Sequence, residues 1–131
     1  VFSEHVIVDN TNKALQSVCK LYTIDVVDYH VGPQFANNEW KWCHEWVIEC
    51  EKAPEDQEKF IIDLDNALKE CNSYYAWKRN WDLMMQIPVV HFVKKWTFLD
   101  RFAYKGKVWG QNKIPKLANN RNILDELITL M

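Results

Sequence analysis

Residues 40–51, WKWCHEWVIECE, alternate in character for twelve consecutive positions. Trp40, Trp42, His44, Trp46, Ile48 and Cys50 share one parity; Lys41, Cys43, Glu45, Val47, Glu49 and Glu51 share the other. Period two places these sets on opposite faces of a β-strand. The first face is apolar and the second mostly charged, which predicts a long half-buried strand with Glu45, Glu49 and Glu51 in solvent. Such a strand needs partners at its edges and a layer of other elements over its apolar face, so an all-helical bundle is excluded.

The remaining segments supply those partners. Ile24–Val31 is β-branched and aromatic and predicts a strand, ended by Gly32-Pro33. Pro88–Trp96 predicts another. Apolar residues at helical spacing predict a helix over Ser3–Lys20, interrupted in character by Asp9-Asn10-Thr11-Asn12. Pro54 opens a clearer helix, with Glu55 and Asp56 in its first turn and Phe60, Ile61, Leu64, Ala67, Leu68 and Cys71 on one face. A short helix over 75–81 follows. Thr97 caps another over 98–105, stopped by Gly106, and residues 107–118 read as irregular and basic. Asn119 or Asn120 caps a last helix carrying Ile123, Leu124, Leu127 and Ile128. No linker or repeat divides the chain. The expectation is one α+β domain over residues 1–131, with a mixed sheet of three or more strands packed by helices.

Composition narrows the function classes. The 131 residues carry 16 basic and 18 acidic side chains, without the basic excess of a nucleic-acid binder. No apolar run approaches a membrane span and no secretory signal precedes the fold, so a cytoplasmic protein with no membrane partner is expected. The chain starts at Val1, which suggests a fragment or a processed product. Cys19, Cys43, Cys50 and Cys71 lack the spacing of a zinc or redox motif and read as reduced, apolar-like thiols. Cys43 and His44 point to opposite faces of one strand, so no metal site is expected, and His5, His30, His44 and His91 read as structural. No nucleophile–base pair or Gly-rich phosphate loop is evident.

Several stretches in fixed order resemble the C-terminal domain of GH3-type acyl-acid amido synthetases, best their bacterial branch. They are VIVDNTNKAL at 6–15, HEWVIE at 44–49, EKAPEDQEKF at 51–60, LDNALKE at 64–70, KR at 78–79, GQNKIPKL at 110–117 and NNRNILDEL at 119–127. The resemblance covers nearly the whole chain and implies an α+β lid domain of an adenylate-forming enzyme. Such enzymes activate a carboxylic acid with ATP and magnesium and pass the acyl group to an amino acid. The small domain closes over a large one and contributes a lysine from a GQ-x-K-x-PR segment, which falls here on Lys113. A compact cation there suits charge shifting on phosphate. Without the large domain, ATP and magnesium are implied only for the full-length enzyme, and catalysis by this chain alone is not expected.

The departures from that pattern concern tryptophan. There are 7 Trp and only 3 Gly. The family pattern leads us to expect Gly where Ser3, Trp42, Trp96 and Trp109 stand, a small residue at Trp77, a charged one at Trp81, and Arg at Lys116. Trp46 lies in the matched HEWVIE stretch and is expected in the core. Trp40, Trp42, Trp77, Trp81, Trp96 and Trp109 are candidate binding residues, because exposed Trp is a strong interface anchor. They would bind a protein partner or an aromatic or apolar ligand, or stitch a homodimer. A surface altered by design is the simplest source of so many Gly-to-Trp departures. The competing expectation is a natural lid fragment with Lys113 as its phosphate-side lysine.

Overall fold

The computed structural model describes residues 7–35, 42–81, 85–94, 116–118 and 120–129. Its organising element is the predicted long strand, β2 (Trp42–Cys50), at the centre of a three-stranded sheet ordered β1-β2-β3. β1 (Val26–Phe35) pairs antiparallel with β2, with a register shift between Val26 and Asp28, and β3 (Val89–Lys94) pairs parallel with it.

Helices α1 (Val8–Tyr22), α2 (Gln57–Cys71) and α3 (Ser73–Trp81) contribute to the main core. That core joins Ala14, Leu15 and Val18 of α1, Phe60, Leu64 and Leu68 of α2, and Tyr75 of α3 to Tyr29, Val31, Trp46 and Ile48 of the sheet. Trp46 is fully buried, as expected, and its ring stacks on Tyr29 at 5.5 Å. On the other face α4 (Asn122–Thr129) buries Leu124 and Leu127 against Val47 and Val93.

This second layer overturns one expectation. Two of the three expected solvent-facing carboxylates are buried: Glu45 and Glu49 are each 3% exposed, while Glu51, just past the strand, is exposed as expected. Carboxylates survive such burial only with charged or hydrogen-bonding partners, and for Glu45 these come from Arg121, just before α4, and from both neighbouring strands. Gly32-Pro33 does not end β1 either. Pro33 pairs opposite His44 with its nitrogen toward the outer edge of the sheet, where no ladder donor is required. Gly32 faces α4, where an added Cβ would lie 3.0 Å from Leu124 Cδ2 and 3.4 Å from the Asn120 carbonyl oxygen.

α1 starts at Val8, so Asp9-Asn10-Thr11-Asn12 forms its first turn rather than a weak middle. Asn10 accepts from the Ile7 amide at 3.1 Å and donates to the Cys71 carbonyl at 3.2 Å, capping α1 and tying it to the end of α2. α1 closes on Thr23, held left-handed at φ 55°. Asp56 caps α2, accepting from the Lys59 amide at 3.0 Å. The helix predicted over 98–105, residues 1–6, and the predicted outer ends of two strands lie outside the described residues.

Candidate functional site

The predicted aromatic face divides. Trp77 and Trp81 are 57% and 74% exposed and Tyr74 is 59% exposed. At spacings of three and four they form one stripe on α3. The opposite side of the helix holds Tyr75 and Arg79, which bind the buried Asp65 of α2 at 2.5 and 2.8 Å. Burial pushes the Asp65 carboxyl up, but its bonds to Arg79 and Tyr75 more than reverse this and leave it below its usual range. Trp42 does not join the stripe: it is half-buried against the main core, 5.7 Å from the His44 ring. Trp40, Trp96, Trp109 and Lys113 lie outside the described residues.

Of the segment expected to be irregular and basic, only residues 116–118 are described, and their one regular feature is an isolated bridge at Leu117. The Val31 amide donates to the Lys116 carbonyl at 2.8 Å and the Ala118 amide to the Val31 carbonyl at 3.0 Å, a parallel bridge on the free edge of β1. The Lys116 Nζ reaches Asp28 Oδ1 at 3.0 Å and sits 4.6 Å from the Tyr29 ring centroid. Tyr29's hydroxyl in turn meets Thr11 Oγ1 at 2.8 Å and donates to Asn12 Oδ1. Lys116 therefore roofs a cleft of about 560 Å³ between α1 and β1, with Leu15 and Val26 on its walls and Gln16, Lys20 and Asp25 among its polar groups.

On the far face, Glu45 gathers three elements. Its oxygens receive Arg121 at 2.6 Å, His91 at 2.6 Å and Gln34 at 3.2 Å. Burial raises the Glu45 carboxyl, and the Arg121 and His91 bonds outweigh it, so the group stays ionised with a lowered pKa. Arg121 also reaches the Pro33 carbonyl and Asp125. This network holds α4 on the sheet; Glu45 was expected to be solvated, and only a positive residue such as Arg121 near a helix start hinted otherwise.

Histidine and cysteine chemistry is muted. Burial drops the His44 pKa to about 3, so it is a neutral core side chain. None of the four cysteines is in a disulfide. Burial pushes the thiols of Cys19 and Cys43 up to about 11, which leaves them protonated and poor nucleophiles. Among the described residues no group of three or more His, Cys, Asp or Glu converges as a metal cage, and no helix is long and apolar enough to cross a membrane.

Comparison with known proteins gives one consistent result. The family model described as the GH3 family C-terminal domain matches residues 9–122. A solved GH3.15 acyl acid amido synthetase superposes with a TM-score of 0.71 at 15% identity, covering 92% of this chain and 23% of that one. A second structure, AtGH3.15 acyl acid amido synthetase in complex with 2,4-DB, gives 0.67 with the same identity and coverage. This chain thus spans about a quarter of the length of those enzymes. A search of curated proteins finds no match. The mixed sheet with helices on both faces and the ordered motifs agree with the matched family model: the chain belongs to the GH3 family, as its C-terminal domain.

Proposed function

We propose that this domain serves as the lid of an ATP-dependent acyl-acid amido synthetase. The supporting observation is that the GQNKIPKL run ends in a defined place, hydrogen-bonded to the edge of β1 with Lys116 beside a cleft. Fixing one end of a basic run on a sheet edge is what a domain needs in order to present cations to phosphate from a repeatable direction. Lys113, three residues upstream, is the cation proposed to face the nucleotide. ATP supplies activation of the carboxylic acid; this chain's part is to orient, to exclude water and to neutralise charge. The test adds the chain to the large domain of a GH3 enzyme and follows AMP release that depends on both ATP and acid. Lys113→Ala is expected to lower that release at least tenfold, and release unaffected by the substitution rejects the reading.

The stripe of Tyr74, Trp77 and Trp81 favours a second reading, a stand-alone binding surface reworked by design. Three exposed aromatics in one row on a helix of nine residues form a contiguous apolar surface of the kind that marks an interaction site. Light scattering over a concentration series examines its self-associating form. A dimer that Trp81→Ala abolishes supports it, and a monomer throughout removes it.

A further inference from the structure

We propose that Lys116 is a positioning residue: its ammonium is committed to Asp28 and Tyr29 and locks the end of the basic run onto β1, rather than touching phosphate itself. The inference deepens the lid reading and rests on it for its catalytic consequence, but the lock stands on the structure's own geometry. Three contacts hold residue 116 itself, and a fourth holds the chain two residues on. Its carbonyl accepts from the Val31 amide at 2.8 Å, and two residues on, the Ala118 amide returns a bond to the Val31 carbonyl at 3.0 Å. Its Nζ donates to Asp28 Oδ1 at 3.0 Å and lies over the Tyr29 ring at 4.6 Å.

The partners are themselves fixed. Asp28 Oδ1 accepts from the Tyr29 amide at 2.8 Å, which sets the carboxylate's orientation. The Tyr29 ring is 3% exposed, stacked on Trp46 and bonded through its hydroxyl to Thr11 and Asn12 at the start of α1. A single hydrogen-bonded bridge on a sheet edge frays easily, since it has one neighbour and no ladder beyond it. The ion pair and the ring contact supply what the short bridge lacks. One of the ammonium's three donors is directed to Asp28, so reaching a phosphate would mean sharing or breaking that pair and leaving the Tyr29 ring.

Amide exchange on the chain itself tests the lock. Lys116→Met keeps the aliphatic stem and removes the charge; Asp28→Asn keeps the shape and the bond from the Tyr29 amide. Each is expected to speed exchange of the Ala118 and Val31 amides about fivefold, with the α2 amides of Leu64 and Leu68 unchanged as a record of global stability. Lys116→Arg, able to pair with Asp28 and stack on Tyr29, is expected to restore protection within about twofold. Unchanged exchange at Ala118 in Lys116→Met overturns the proposal. In the reconstituted reaction, Lys116→Met is expected to lower kcat with the KM for ATP constant; a tenfold rise in that KM at constant kcat makes Lys116 a nucleotide ligand and also overturns it. No AMP release from the unaltered chain rejects the lid reading, while the exchange result still decides the lock.

Discussion

Replacing Glu45 by Gln tests whether the buried network, rather than apolar contact alone, holds α4 on the sheet. The side chain of Glu45 is 4% exposed and is hydrogen-bonded by the Arg121 guanidinium and the His91 ring, each at 2.6 Å. Gln keeps the volume but loses the charge and turns a donor toward donors. Breaking a fully buried pair costs about 3–5 kcal/mol. Arg121 and His91 are 31% and 27% exposed, and Arg121 keeps Asp125, so both regain some solvation. About 2–3 kcal/mol is therefore expected. For 131 residues the unfolding entropy is about 0.28 kcal/mol/K, which converts that loss to a fall in Tm of about 7–11 °C. Calorimetry on Glu45→Gln, Arg121→Met and the double variant measures it. The double variant should cost less than the two singles together, because the buried charge and its partner leave together.

The same carboxyl sets an acid limit. Its pKa is depressed in the folded state, so its stabilisation is present above the unfolded value of 4.5 and is lost as pH falls below it. Glu45→Gln should flatten that part of the profile. A loss under about 0.5 kcal/mol, with the acid limb unchanged, would show the network to be screened like a surface pair and would refute the reasoning.

Three further outcomes are expected. His44, held at about 3 against 6.5 when free, stays neutral while the unfolded chain takes up a proton, so stability falls by about 1.4 kcal/mol for each unit that the pH drops from 6.5 toward 3; His44→Phe should remove that slope in urea titrations across the range. Gly32→Ala and Gly32→Val both place a Cβ 3.0 Å from Leu124 Cδ2 and 3.4 Å from the Asn120 carbonyl oxygen; the two further methyls of Val add bulk there and should cost about 1–3 kcal/mol by denaturant unfolding, while Ala, whose tightest contact is the movable Leu124 methyl, costs less. Thr23→Gly relieves a left-handed residue at the end of α1 and should raise Tm by about 2–4 °C; a fall in Tm would show that the Thr side chain contributes more than the backbone conformation costs.

Local patterns carried the elements well. The apolar stripe of α2 and the parity of β2 were legible because each depends on neighbours within a few residues. What covered the second face of β2 was not: alternation shows that two faces differ, while the helix that buries Glu45 begins near residue 122, more than seventy residues away. Gly32-Pro33 misled for a similar reason, since a proline on an outer edge costs a strand nothing and only the pairing shows which edge is outer. The position of Trp46 followed from its motif. Trp77 and Trp81 kept the exposure that their basic surroundings suggested, but Trp42, at the parity of the core face, went to the core side. The lock on Lys116 left no trace in the sequence, because Asp28 and Tyr29 meet it only through the sheet.

The central position of β2 also orders the folding reaction. β1 and β2 are joined by a short connection and can pair as a hairpin on the microsecond scale. β2 and β3 are parallel, so the chain from Cys50 to Val89 must first travel through α2 and α3 before that ladder can close. The entropy of that long closure is lost before β3 returns any contact, which makes the second pairing the slow one. Until it forms, the backbone N–H and C=O groups along one edge of β2, an apolar strand with Trp46, Val47 and Ile48 at its middle, are left without β3. A newly made domain of this design is thus at greatest risk of aggregation in the interval between hairpin and crossover, and substitutions in β3 should lengthen that interval even where they barely alter the finished fold.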